Sequence, residues 1–110
     1  MEDIYYNTLL YDLYGDLLTD KQKDIFRKHY LEDASLNEIA YEHGCTKQAV
    51  HTIIKRTKKI LTDYEDRLYL VKKHIDNKKK LEDISLKLSE LPIGEEEKAY
   101  LISRLKEMFL

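Results

Sequence analysis

One stretch of the sequence carries residue types suited to meeting phosphate. Residues 44–60, GCTKQAVHTIIKRTKKI, hold Lys47, Lys55, Arg56, Lys58 and Lys59 and no acid. Lysine and arginine neutralise phosphate charge, and glutamine can pair with adenine edges. Gln48, Thr52 and His51 stand among those bases at spacings that share one helix face. The chain as a whole is formally −2. The mean hides segregation: residues 1–20 carry five acids and no base, and residues 72–80 carry five lysines against Asp76. A local basic stripe is an electrostatic footprint that net charge does not report. A charge run is also what a plain solvated helix face looks like, so the stripe alone does not decide.

Other chemistry lacks its residues. There is no GxxxxGK[ST] loop, GxGxxG, HExxH or CxxC. His29, His43, His51 and His74 do not fall at metal-ligand spacings, and Cys45 has no evident oriented base to activate it. Glu95, Glu96 and Glu97 follow Gly94, where a helix N-terminus favours negative charge. We therefore expect no enzyme, no metal, no cofactor and no small-molecule substrate. A single cysteine forbids an internal disulfide and fits a reducing cytoplasm, and the acidic N-terminus has no secretory n-region. No apolar run approaches the ~20 residues of a membrane span.

The elements that must position the basic stripe are helices. The chain is 43% apolar and 36% charged with three Gly and one Pro, a composition poor in helix breakers. Residues 3–18 carry Ile4, Leu10, Leu13, Tyr14, Leu17 and Leu18 at helical steps, with Tyr5, Tyr6 and Tyr11 interleaved. Capping boxes at Thr19/Gln22 and Ser35/Glu38 start two more helices. Ile25, Phe26, Tyr30 and Leu31 form the inner side of the first, and Gly44 ends the second in the left-handed position. Thr46 caps a fourth helix. Its seam of Ile54, Thr57, Leu61, Tyr64, Leu68, Val71 and Ile75 alternates steps of three and four. If unbroken to residue 76 this helix spans roughly 45 Å. Its seam must then meet the N-terminal helix, the C-terminal segment or a second copy. DNKKK, residues 76–80, reads as the break. A fifth helix follows with Leu81, Ile84, Leu88 and Leu91, then a last one burying Leu101, Ile102, Leu105, Met108 and Phe109.

Residues 36–59 fit a helix-turn-helix. Ala40 is small where two helices cross, Gly44 takes positive φ, and Ile39, Cys45, Val50 and Ile53 lock the second helix onto the first. Thr46, Lys47, Gln48, His51, Thr52, Lys55, Arg56 and Lys59 then form the candidate nucleic-acid-binding set.

LTDKQ, YLEDASLNEIA and GCTKQAVHTIIKRTKKIL together resemble region 4 of bacterial sigma factors. Over about residues 5–75, including the tyrosine-rich first helix and YEDRL, the chain resembles more closely the YlxM-like family of small bacterial helix-turn-helix proteins. The resemblance implies DNA binding, and a regulatory link to the signal recognition particle through its GTPase or RNA. It places the recognition helix at residues 46–59. Thr46-Lys47 replaces the commoner Ser-Arg pair, which trades bidentate recognition for a point charge. The expected architecture is all-α: a sigma region 4-like bundle with a long fourth helix over residues 1–76, and a helical extension over 77–110. The expected partners are DNA, signal recognition particle components and a second copy in a homodimer formed by the heptad seam or the first helix. The alternative is a protein or ribonucleoprotein adaptor using the same basic face without binding DNA.

Overall fold

A computed structural model describes residues 4–108. The described residues form α1 (Ile4–Tyr14), α2 (Asp20–Phe26), α3 (Leu36–His43), α4 (Lys47–Leu68), α5 (Leu70–Ser89) and α6 (Glu95–Glu107), with no strand among them. A 3-10 turn, Gly15–Leu17, follows α1, and a π-turn, Arg27–Leu31, extends α2. The protein is thus an all-α helix-turn-helix bundle, as its sequence indicates. It divides into two compact units between Val71 and Lys72.

The first unit is built around the helix-turn-helix. Thr19 and Gln22 close a full capping box at the start of α2. The Ser35 hydroxyl accepts from the Glu38 amide at 3.1 Å, and that of Thr46 accepts from the Ala49 amide at 3.1 Å. These side chains satisfy amides that a helix start leaves open. Gly44 terminates α3 at φ 62°, ψ 37°, and the Cys45 amide reaches back to the Ala40 carbonyl at 3.0 Å. A residue with a Cβ pays about 1–2 kcal/mol in that left-handed well. Ile25, Ile39, Ala40, Val50 and Ile54 form the core beneath the turn, with Cys45 and Ile53 half-buried against it. Phe26 is fully buried and lies 4.7 Å from Tyr30 and 6.3 Å from Tyr11, ring centre to ring centre.

α1 covers part of the α4 seam. Asn7, Leu10 and Tyr14 are buried on one side and Ile54, Thr57 and Leu61 on the other. Tyr14 stacks on Tyr64 at 6.0 Å, and Lys58 donates to the Asn7 carboxamide oxygen. Ile4, Leu13 and Leu17, expected on the inner face, are exposed instead; α1 turns Leu9, Leu10 and Tyr14 inward.

The rod that a helix unbroken to residue 76 would make does not form. α4 stops at Leu68, and Tyr69 adopts φ 56°, ψ 29°, a left-handed conformation that is unusual for a bulky side chain. The cause is a buried polar cluster. The Tyr14 hydroxyl donates to the Glu65 carboxylate at 2.6 Å, and the same oxygen accepts from the Val71 amide at 2.9 Å. The Leu70 amide donates to the Tyr14 hydroxyl at 3.1 Å. Leu70 and Val71 are the first residues of α5, so a phenol and a carboxylate satisfy its open amides, and the carboxylate also faces the positive end of the helix. Glu65 accordingly takes the inward place that the heptad pattern gave to Tyr64 and Leu68. Leu68 is exposed. The break expected at DNKKK is absent too: residues 76–80 lie inside α5, since Lys tolerates a helix almost as well as Ala.

The second unit is a helical hairpin formed by the rest of α5 and by α6. LPIG breaks the chain, and α6 starts with three glutamates in its first turn. The Lys98 ammonium donates to the Ser89 carbonyl at 3.0 Å, and Lys106 lines a shallow cleft with Lys78, Leu81 and Leu86, so the two helices run antiparallel. None of its described side chains is fully buried. Ile102 and Leu105 are half-covered, whereas Leu101 and Met108, expected inside, are exposed; Phe109 lies outside the described residues.

Candidate nucleic-acid interface

The turn of Gly44–Thr46 projects α4 from the core that α3 and α2 provide. Val50, Ile54 and Thr57 point into that core. With those directions set by the 3.6-residue repeat, the opposite side must face solvent. All eight candidates, Thr46, Lys47, Gln48, His51, Thr52, Lys55, Arg56 and Lys59, are exposed. Between Glu42 and Asp63 the chain has no acid, so the face they form is free of negative charge of its own.

The stripe is not uniform. Lys58 is half-buried, and its ammonium stands 5.5 Å from the Tyr6 ring centre and 5.1 Å from that of Tyr30. A cation over aromatic faces beneath the surface is a structural contact. Sequence counting cannot separate Lys58 from its neighbours, since only the position of α1 decides where it points. Lys59 pairs loosely with Asp63 at 3.4 Å. Lys47, Lys55 and Arg56 are the outward cations that lack an ion pair among the described residues.

Leu36, Lys47, Gln48, His51 and Thr52 line a shallow cleft between the start of α3 and the first turns of α4. His51 acts electrostatically on the half-buried His29. Burial pushes the His29 imidazole below the ordinary histidine range; Asp33 opposes that shift and His51 adds to it. A neutral His29 keeps one more charge out of the helix-turn-helix interior.

An ionic brace fixes α3 against α2. Asp24 meets Arg27 at 2.6 Å, Lys28 at 2.9 Å and His43 Nε2 at 2.8 Å, while Lys28 also bonds Glu42. The Lys28 contact, outweighing desolvation, holds the Asp24 carboxyl below its usual range, and His43 adds to the effect. The brace occupies His43 and leaves Tyr41 fully in solvent at 90% exposure, one turn before Gly44. Tyr41 was not among the candidates. Its place in YEHG, three residues before the turn glycine, is the signal that could have found it.

The arrangement offers backbone-type contacts: point charges, hydroxyls, an amide and a capped helix start. It holds no grouping of three His, Cys, Asp or Glu side chains fit for a metal among the described residues, and no described helix is long and apolar enough to cross a membrane.

A short helix, a glycine turn and a second helix with an outward basic face define a helix-turn-helix protein. The family described as "UPF0122: Putative helix-turn-helix protein, YlxM / p13 like" matches residues 1–101, and the chain belongs to it. The match runs through α5 into α6, beyond the region where the sequence resemblance was specific. The chain is similar to the UPF0122 protein YlxM of Bacillus subtilis, 43% identical over 90% of this chain and 89% of that protein. It is 48% identical to a UPF0122 protein of Caldanaerobacter subterraneus subsp. tengcongensis, over 76% of this chain and 71% of the relative. A UPF0122 protein of Clostridium acetobutylicum is 43% identical over 80% and 76%.

Proposed function

We propose that this protein is a cytoplasmic, homodimeric, non-enzymatic regulator that binds duplex DNA through the exposed face of α4. The observation that carries the reading is the acid-free set of Lys47, Gln48, His51, Thr52, Lys55 and Arg56, all exposed on one helix held out by the Gly44 turn. Thr46 presents the helix start, and Lys59 joins when it leaves Asp63. Lysines set the register through phosphates, while Gln48 and Arg56 are the residues able to read base edges. A single small helix-turn-helix gains specificity as a dimer, whose two recognition helices reach grooves about 34–36 Å apart.

The test is fluorescence anisotropy with a random-sequence duplex across a salt series. Three unpaired cations predict a log–log slope of about −3, steepening toward −4 with Lys59. Lys55→Ala/Arg56→Ala should flatten the slope by about 2 and weaken binding at low salt. Wild-type affinity in that variant would sink the reading.

A second reading rests on the predominance of lysine over arginine on this face. Point charges contact the phosphates of an RNA helix as readily as those of DNA. The family resemblance makes signal recognition particle RNA and its GTPase the partners for a parallel titration. Salt-resistant binding to the GTPase with no DNA binding would favour this adaptor role.

A further inference from the structure

The α5–α6 hairpin contains fewer than about forty residues, a size at which a lone segment rarely buries enough apolar surface to be stable. Its mutual face is thin: Leu81, Leu88, Ile102 and Leu105 are only half-covered. A second apolar row remains open. Ile84 and Leu101 are each 40% exposed, Leu91 is 47% and Met108 is 74%. Ile84 stands three residues after Leu81 and four before Leu88; Leu101 stands three after Lys98 and four before Leu105. Because the helices are antiparallel, this shared offset brings Ile84 and Leu101 onto the same face of the hairpin, with Met108, the C-cap of α6, one heptad beyond Leu101.

Charge identifies the occupant of that face. The hairpin is bipolar along its length. Its open end carries the lysines of residues 72–80 together with Arg104 and Lys106, against Asp76, Glu82, Asp83 and Glu107. Its tip carries Glu90, Glu95, Glu96 and Glu97, against Lys87 and Lys98. Within one hairpin Lys78 and Lys106 line one cleft with Glu82, so the open end keeps an excess of lysine and the tip an excess of glutamate. A second copy turned end for end brings each acidic tip onto a basic open end. A two-fold axis near Ile84 and Leu101 makes that pairing self-complementary, as an isologous dimer requires.

We infer that the α5–α6 hairpin is the homodimerisation element, its Ile84/Leu101/Met108 face packing antiparallel on the same face of a second copy into a four-helix bundle. This deepens the dimer in the proposed function, and it replaces the α4 seam and α1 as the candidate interface.

The experiment is light scattering and sedimentation equilibrium on the full chain without nucleic acid, so failure of DNA binding leaves its outcome untouched. The wild type should be a dimer. Ile84→Glu/Leu101→Glu, both at exposed positions, should be monomeric while keeping its helical circular dichroism. Charge reversal supplies the control for misfolding. Lys79→Glu/Lys80→Glu and Glu96→Lys/Glu97→Lys should each weaken the dimer about tenfold or more at low salt. An equimolar mixture of the two should restore tight association, because every tip then meets an open end of opposite charge. A wild type that stays monomeric at submillimolar concentration overturns the inference. So does a dimer that survives Ile84→Glu/Leu101→Glu, or one whose two charge-reversed forms fail to rescue each other.

Discussion

The helix-turn-helix unit and the α5–α6 hairpin are made from similar residues and bury them to opposite extents. Ile25, Phe26, Ile39 and Val50 are completely covered, whereas the hairpin covers no described side chain completely. The cause is the number of layers. A helix packed against one neighbour hides a single stripe; α1, α2 and α3 close around α4 from several sides. The comparison also separates roles. A self-sufficient core can hold a recognition helix rigidly, and an unfinished one asks for a partner.

The largest predicted effect sharpens this contrast. Phe26→Ala should cost the first unit about 3–5 kcal/mol, since it empties a fully enclosed site between Tyr11 and Tyr30. Leu88→Ala, studied under monomeric conditions, should cost under about 1 kcal/mol, because its site is still open to solvent. Urea denaturation followed by circular dichroism compares them. Equal losses would mean that the hairpin has a core as closed as that of the first unit.

The next effect lies at Tyr69, where α4 gives way to α5. Tyr14→Phe removes the donor to Glu65 and the acceptor for the Leu70 amide, and should cost about 1–3 kcal/mol. Hydrogen exchange at Leu70 and Val71 should quicken before that of the α4 core. The same site predicts alkaline behaviour. Burial first, and the Glu65 carboxylate second, push the Tyr14 phenol up to about 12 from its ordinary value of 10.0. The unfolded phenol releases its proton first, so this stabilisation is complete below pH 10 and is lost as pH rises toward 12. Tyrosine absorbance titration should show one late step that Tyr14→Phe lacks. If the late step persists in that variant, Tyr14 is not held by Glu65.

Legibility in the sequence followed the range of the interactions. The caps at Thr19, Ser35 and Thr46, the turn at Gly44 and the inward set Ile39, Ala40 and Val50 are local, and spacing revealed them. The α4 break was hidden because it depends on Tyr14, 51 residues from Glu65 in the chain. Heptad counting saw Tyr64 and Leu68 as seam residues and missed a glutamate whose burial is made acceptable by the Tyr14 hydroxyl and the Val71 amide donating to it. Lys58 was counted with the basic stripe for a similar reason: Asn7, Tyr6 and Tyr30 draw it inward from distant parts of the sequence. DNKKK looked like a boundary by polarity, but nothing in it breaks a helix.

Gly44→Ala tests how firmly the turn is set by its backbone alone. An added Cβ would meet nothing within 4 Å, so no clash contributes. The left-handed conformation at φ 62° should then account for the full loss, about 1–2 kcal/mol. Gly44→Asn should cost less, since asparagine tolerates that well. Thermal melts of both variants decide the point, and an equal loss for the two would assign the glycine to packing instead.

The smallest effect reverses sign. Thr57 is completely buried on α4, and its hydroxyl has no hydrogen-bond partner among the described residues. A desolvated hydroxyl without a partner is a cost, and a methyl of similar size removes it. Thr57→Val should therefore stabilise the first unit by about 1 kcal/mol, raising the urea midpoint at unchanged slope. The exposed face of α4 is untouched, so any nucleic-acid affinity should stay constant. Destabilisation would show that the hydroxyl has a partner in solution, and that the first unit's core is more polar than its packing suggests.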